Sequence, residues 1–241
     1  MNSTTDTFRH KGMRKQLIKV LRAKGIKSEA VLAAIEKIPR HFFLDKAFEE
    51  KAYEDQAFRI GAGQTISQPY TVAFQTELLQ VKRLEKILEI GTGSGYQSCV
   101  LAELGARVYS VERQKSLHDT SKLLIAELGY NIKTFYGDGY LGLPSYAPFD
   151  KVIVTAGAPY IPPALIEQLK PGGILVIPVG EGDCKIMKTV RRTVRSLNPN
   201  EVSEGSGAVM KIVYKNAVLE TEVEEHGEFR FVPLLENKAG R

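Results

Sequence analysis

Cysteine is scarce in this chain: there are 2 in 241 residues, Cys99 and Cys184. Two thiols cannot make a disulfide scaffold or a four-cysteine zinc site. Cys99 stands in an apolar run and Cys184 in a Gly/Asp context, so both are expected as free thiols in a reducing compartment. Long apolar runs are also missing. No stretch approaches the about 18 uninterrupted apolar residues of a membrane span. Residues 1–9 are polar, without the apolar core of a secretory signal, so no membrane and a cytoplasmic location are expected. Neither sign of charge dominates: 33 Lys and Arg against 28 Asp and Glu leave +5. That balance alone is too small to call for a nucleic-acid partner. The four histidines, His10, His41, His118 and His226, lack the spacing of a metal-ligand set. Each is expected at the surface, and no metal is expected. No internal repeat or low-complexity tract occurs.

What is present is an alternation of periods. The length suits one domain at roughly 100–200 residues each. Met13, Leu17, Val20 and Leu21 recur at helical spacing and Gly25 stops the run. Ser28 is placed to cap a second helix with the apolar face Val31, Ile35 and Ile38, and Pro39 ends it. The basic residues between Lys11 and Lys27 read as a solvated helix face, since no aromatic residues interleave them as stacking platforms. Residues 57–71 lose periodicity and hold Gly61, Gly63, Gln64, Thr65, Ser67, Gln68 and Pro69, which predicts a functional loop. A helix with Val72, Ala73, Thr76, Leu78 and Leu79 follows. Strands are then predicted at 86–90, 107–112, 132–136, 150–155 and 174–178. Helices are predicted at 96–104, 115–128 and 162–168, with a turn at Lys170-Pro171-Gly172-Gly173. Such alternation implies an α/β fold, a mostly parallel sheet covered on both faces. Past Gly182 the pattern turns β-rich at 187–194 and 211–223. There Glu220, Glu222, Glu224 and Glu225 alternate as on an exposed strand edge.

The most informative segment is Leu88-Glu89-Ile90-Gly91-Thr92-Gly93-Ser94-Gly95-Tyr96. A strand runs into three glycines at alternate positions, and a helix begins. Glycines let the backbone turn tightly and approach a ligand, and the helix start offers free N–H donors. A dinucleotide fingerprint needs a glycine at 96, where Tyr stands, and no Gly-Lys-Ser/Thr phosphate loop exists. Glu89 just before the glycines would repel a pyrophosphate, but could act through the loop or a water on an ammonium group. Glu112 ends the second strand 21 residues after Gly91, the distance of a carboxylate that accepts both ribose hydroxyls. Asp138, in Tyr136-Gly137-Asp138-Gly139, follows the third strand and can accept from an adenine amine. Three carboxylates at successive strand ends, without a cation cluster, fit S-adenosylmethionine better than a nicotinamide dinucleotide.

The acceptor is read by what is missing. Amine methylation of bases commonly uses an Asn/Asp-Pro-Pro-aromatic segment after the fourth strand, where this chain has Thr155-Ala156-Gly157-Ala158-Pro159-Tyr160. Cytosine methylation needs a cysteine nucleophile, and Cys184 follows Asp183 beyond the fifth strand. A carboxylate acceptor is already ionised and needs no base, so aligning it and excluding water are the main tasks. Methylation of RNA or a small molecule, and a non-catalytic adenosyl- or RNA-binding module, remain the competing readings.

These segments resemble the protein-L-isoaspartate (D-aspartate) O-methyltransferase family over about residues 14–182, and again from near Gly227. The most particular are Gln64-Thr65-Ile66-Ser67-Gln68-Pro69-Tyr70 and Arg230-Phe231-Val232-Pro233-Leu234. Val108-Tyr109-Ser110-Val111-Glu112-Arg113, Gly137-Asp138-Gly139 and Leu169-Lys170-Pro171-Gly172-Gly173 also fit. The resemblance implies a Rossmann-like class I methyltransferase with a mostly parallel seven-stranded sheet, helices on both faces and extra N-terminal helices. It implies one domain over 1–241: N-terminal helices and substrate loop in 1–80, cofactor core in 81–182, a β-rich portion in 183–241. It implies methyl transfer from S-adenosylmethionine, leaving S-adenosylhomocysteine, to the free α-carboxylate of L-isoaspartyl and D-aspartyl residues in damaged proteins. The ester then collapses unaided to a succinimide that reopens partly to aspartate. Ser67 matches the active-site serine that orients the acceptor. Glu89, Gly91, Thr92, Gly93, Ser94, Gly95, Glu112, Arg113, Asp138, Gly139 and Thr155 are the implied cofactor contacts. Thr65, Ile66, Gln68, Pro69, Phe231, Val232 and Pro233 are the implied peptide contacts. Partners are then isoaspartyl peptides and proteins and no nucleic acid, with a monomeric enzyme. The chain departs from the family pattern at about residues 188–216, which are longer and more basic.

Overall fold

The structure is a computed structural model, and it describes residues 5–196, 212–214 and 217–238. Thr7 caps the first helix, α1 (Phe8–Ala23). Its hydroxyl accepts from His10 N while His10 Nδ1 accepts from Thr7 N, both at 3.3 Å. Ser28 Oγ accepts from Val31 N at 3.4 Å and opens α2 (Glu29–Lys37), which stops before Pro39 as anticipated. The two helices bury Leu17, Leu21, Leu32 and Ile35 in one core with Phe43 and Val100. The basic face of α1 is solvated except for Arg14, which is buried and holds Asp6 through two 2.8 Å bonds.

The segment read as a loop is an antiparallel hairpin, β1 (Phe58–Gly61) and β2 (Gln64–Ile66). Its turn puts Ala62 and Gly63 at φ +49° and +70°. Two residues of left-handed backbone make the tight turn that suits a twisted hairpin. Helix α3 (Pro69–Leu79) follows, with proline at its first position.

Then the alternation runs as expected: β3 (Lys86–Ile90), α4 (Tyr96–Glu103), β4 (Arg107–Glu112), α5 (Lys115–Glu127), β5 (Lys133–Tyr136), β6 (Phe149–Val154), α6 (Pro163–Glu167) and β7 (Leu169–Val179). The Lys-Pro-Gly-Gly segment is not a turn before β7. It bulges inside the strand, where pairing jumps from Phe149 with Leu169 to Lys151 with Ile174. The chain closes with β8 (Cys184–Ser196), β9 (Ile212–Tyr214) and β10 (Ala217–Arg230).

One sheet takes all but the hairpin, in the order β5-β4-β3-β6-β7-β8-β10-β9. From β5 to β7 neighbours are parallel, and from β7 to β9 antiparallel. This is the mostly parallel sheet of seven strands, with the three-residue β9 added at its antiparallel edge. The basic segment of β8 finds its partner here, because Arg191 lies opposite Glu222 and Lys188 opposite Glu225. Lys188 Nζ reaches Glu225 at 2.8 Å. Arg192 donates to the carbonyl oxygens of Glu167, at 2.9 Å, and Leu169, closing the end of α6. Of the divergent segment, residues 197–211 and 215–216 lie outside the described residues.

The histidines overturn their expected surface placement: His10, His41 and His118 are 6%, 2% and 9% exposed. The rings of His10 and His41 lie 3.8 Å apart beside Asp6, although 31 residues separate them in the chain. Every one of their ring nitrogens has a protein partner, in Thr7, Glu49, Tyr53 and Thr5.

Candidate active site

The strand order reverses direction at β3: β4 and β5 lie to one side of it, β6 and β7 to the other. A ligand crevice is expected at the carboxyl ends of the strands at such a point. There the chain is stitched by Thr155, just past β6. Its Oγ1 donates toward the carbonyls of Ile90 and Gly91, at 3.0 and 2.7 Å. A Cβ on Gly91 would stand 2.5 Å from that oxygen, and Gly91 has φ +96°. Glycine is therefore required there twice over, by conformation and by space.

Glu112 holds the loop from the far side. Its carboxylate accepts from Gly93 N and Gln114 N, each at 2.8 Å. Two of about four lone-pair positions remain for a ligand. Glu89 lies elsewhere than expected. It is wholly buried beneath the loop and absent from the crevice lining. It accepts from Ser98 Oγ and, at 2.7 Å, from Ser110 Oγ; Ser110 in turn accepts from Thr92 Oγ1 at 2.6 Å. Burial pushes its carboxyl up to about 7, against the two serine hydrogen bonds. Glu89 braces the glycine loop from below and does not reach through it.

The crevice is walled by Gly91, Thr92, Gly93, Ser94, Glu112 and Thr155, and on the facing side by Gln64, Thr65, Ile66, Ser67 and Val232. A second cavity, a groove of about 700 Å³, runs past Ser67, Gln68, Tyr70, Phe231 and Val232 to His226. Thr65, Ser67, Thr155 and Val232 line both. The two spaces thus share a wall at Ser67. Among the described residues no protein group bonds the Ser67 hydroxyl. Pro69 and Pro233 line neither space: Pro69 starts α3, and Pro233 bridges to Gly157.

Gly95 is likewise absent from the lining, and three further expected cofactor residues stand outside the crevice. Asp138 spends one oxygen on Tyr140 N at 2.9 Å and the other on Asn237 N at 2.8 Å. Arg113 donates to the carbonyls of Asn237 and Glu236, at 2.9 and 3.2 Å. Gly139 packs so tightly that a Cβ would sit 2.4 Å from Ile90 Cγ2. Together they hold the C-terminal segment across the strand ends. Conversely, Gln97 lines the crevice without having been marked as a site residue. Its Nε2 donates to Thr76 Oγ1 at 2.9 Å, and its buried Oε1 has no partner among the described residues. The amide in Tyr96-Gln97, directly after the glycines, was the available signal.

A profile of the family described as protein-L-isoaspartate(D-aspartate) O-methyltransferase matches residues 12–212. A protein-L-isoaspartate O-methyltransferase of Flavobacterium johnsoniae is 56% identical over 236 residues, covering 97% of this chain and 99% of the relative. The Flavobacterium psychrophilum protein of the same name is 54% identical over 234 residues, with the same coverage. The chain belongs to the protein-L-isoaspartate (D-aspartate) O-methyltransferase family. Among solved structures, a protein-L-isoaspartate O-methyltransferase superposes with a TM-score of 0.75 at 25% identity, over 93% of this chain and 67% of that one. A Plasmodium falciparum structure, described as a complex with S-adenosyl-L-homocysteine, shares the fold with a TM-score of 0.72 at 21% identity over 93% of this chain. The fold of this methyltransferase family is therefore the class I fold expected.

Within that family frame, two buried side chains missed from the sequence set the Ser67 loop. Asp55 accepts from Tyr70 N at 2.7 Å and Gln68 Nε2 at 3.0 Å. Arg40 donates to the Ser67 carbonyl at 2.8 Å. Neither stands in a local pattern that marks it, because each acts on a segment 13 or more residues away.

Proposed function

We propose that this chain transfers the methyl group of S-adenosylmethionine to the free α-carboxylate of L-isoaspartyl and D-aspartyl residues in damaged proteins, and so starts their repair. The observation that carries the reading is the shared wall: one serine borders both the glycine-lined crevice and the open groove. When bound, the cofactor supplies an electrophilic methyl on a cationic sulfur. The crevice suits it by its free acceptors: the remaining lone pairs of Glu112 for ribose hydroxyls, and the buried, unpartnered Gln97 Oε1 for an ammonium. Thr92, Ser94 and the backbone of Gly91 and Gly93 line the remainder of the contact, and Gly95 turns the chain into α4 behind them. Glu89, Arg113, Asp138 and Gly139 support the crevice from outside it.

In the groove, the Ser67 hydroxyl donates to one oxygen of the acceptor carboxylate and turns the other toward the methyl. An ionised carboxylate needs no base, and none stands at the shared wall. The chain's work is alignment and exclusion of water, by Ile66 and Val232 in the crevice and Phe231 in the groove. Residues 1–80, 81–182 and 183–241 act as one domain in this reading, supplying in turn the Ser67 loop, the crevice and the outer groove wall.

No helix of the described residues is long and apolar enough to cross a membrane. Cys99 and Cys184 are free thiols, which fits a reducing cytoplasm. The cross-strand pairing of Arg191 and Lys188 with glutamates argues against a nucleic-acid face. A monomer is expected by size-exclusion chromatography with light scattering. The deciding assay counts base-labile methyl esters on a peptide bearing isoaspartate and on its aspartyl twin. Labelling of the first alone is expected. Equal or absent labelling overturns the proposal, and methylation of RNA or a small metabolite instead would reassign the acceptor.

A further inference from the structure

Arg40 is the largest charged side chain in the core, at 0% exposure, and no carboxylate of the described residues pairs with it. A guanidinium removed from water without a counter-ion is costly, and an apolar residue of similar size would be cheaper there. The chain compensates it with carbonyl oxygens. Arg40 Nε donates to Ala52 O at 3.1 Å, and Nη2 donates to Ser67 O at 2.8 Å and, more weakly, to Gln56 O at 3.5 Å. The guanidinium also lies over the ring of Tyr96, 4.8 Å from its centroid.

These partners are not scattered. Ala52 and Gln56 belong to the segment that leads into the hairpin, and Ser67 directly follows its second strand. Tyr96 is the first residue of α4, next to Gly95 of the cradle, and lines the crevice. One rigid, planar cation therefore spans from the acceptor loop to the cofactor loop, while lining neither cavity itself. A lysine at 40 could not reach several carbonyls and lie flat on the ring at once.

We infer that Arg40 is a positioning residue for methyl transfer, fixing the Ser67 main chain, and through it the hydroxyl, against the cofactor cradle. This inference rests on the reading of Ser67 given above. The test is a double-mutant cycle in the full chain with Arg40→Lys, Arg40→Gln, Ser67→Ala and the two double variants. Arg40→Gln keeps a donor and buries no charge, so it serves where the lysine variant folds poorly. The readouts are kcat and KM for the isoaspartyl peptide, S-adenosylhomocysteine affinity by calorimetry, and amide hydrogen exchange.

Ser67→Ala is expected to lower kcat by about tenfold or more, and each Arg40 variant by about fivefold, with S-adenosylhomocysteine affinity changed by less than about threefold. Each double variant should be no slower than Ser67→Ala, since a hydroxyl already absent cannot be misplaced further. Amides of 64–68 should exchange faster in the Arg40 variants while those of β3 and β6 keep their protection. Losses that multiply in the double variants, a cofactor affinity that falls in step with kcat, or unchanged exchange at 64–68 would each overturn the inference. Wild-type protein inert toward isoaspartyl peptides would instead defeat the reading of the site, and the exchange comparison would still decide whether Arg40 holds the loop.

Discussion

Glu89 is the residue whose surroundings most change its chemistry. An ordinary carboxyl titrates near 4.5; this one is raised to about 7, chiefly by burial. A raised folded-state value means that the folded protein holds a proton that the unfolded chain gives up. Stability is then fullest below about pH 4.5 and falls as pH rises through about 7, by about 3 kcal/mol in total. Glu89→Gln removes that proton and keeps the shape. Urea midpoints at pH 5 and pH 8 should therefore differ less for Glu89→Gln than for the parent. Burial moves His41 the other way, below its ordinary value. Its contribution is common to both proteins and cancels in the comparison. Parallel slopes in the two proteins would show that Glu89 is ionised throughout.

At the scale of elements, the hairpin shows how a small device positions chemistry. It places Gln64, Thr65 and Ile66 along the crevice and delivers Ser67 to its end. Its turn works with Ala62 at φ +49°, a conformation that costs an alanine roughly 1–2 kcal/mol. Asparagine tolerates that conformation far better and is favoured in such turns. Ala62→Asn should raise the urea midpoint by an amount equivalent to about 0.5–1 kcal/mol. An unchanged or lower midpoint would mean that the turn is set by its packing and not by its own backbone preference. The same absence of an Asn-Gly signal is why the hairpin reads as a loop in the sequence.

For the whole molecule, the crevice joins β3, β4, β6, the hairpin and the segment after β10. A ligand bound there acts on the global unfolding equilibrium. At a concentration 100 times its Kd, S-adenosylhomocysteine should add about 2.7 kcal/mol, a rise in Tm of about 5 °C for a chain of this size. A nicotinamide dinucleotide at the same concentration should leave Tm unchanged, because the third glycine stands at 95 and 96 is tyrosine. A thermal melt with each ligand separates the two outcomes. A shift with the dinucleotide alone would defeat the cofactor assignment.

The sequence by itself determined what neighbours along the chain can express. Strand and helix periods, the cap at Ser28, and the glycine loop between β3 and α4 are all local. So is Glu112, since a strand–turn–helix–strand unit fixes the distance from its first glycine to its second strand end. Tertiary structure decided whatever depends on strand order. Thr155 meets Gly91 from 64 residues away; Arg40 reaches Ser67 across 27; Asn237 engages Asp138 across 99. It also buried His10, His41 and His118, and sank Glu89 beneath the loop it was expected to act through. Local propensity is the free energy of one segment against water. These contacts are the free energy of one segment against another, and nothing in either segment alone names its partner.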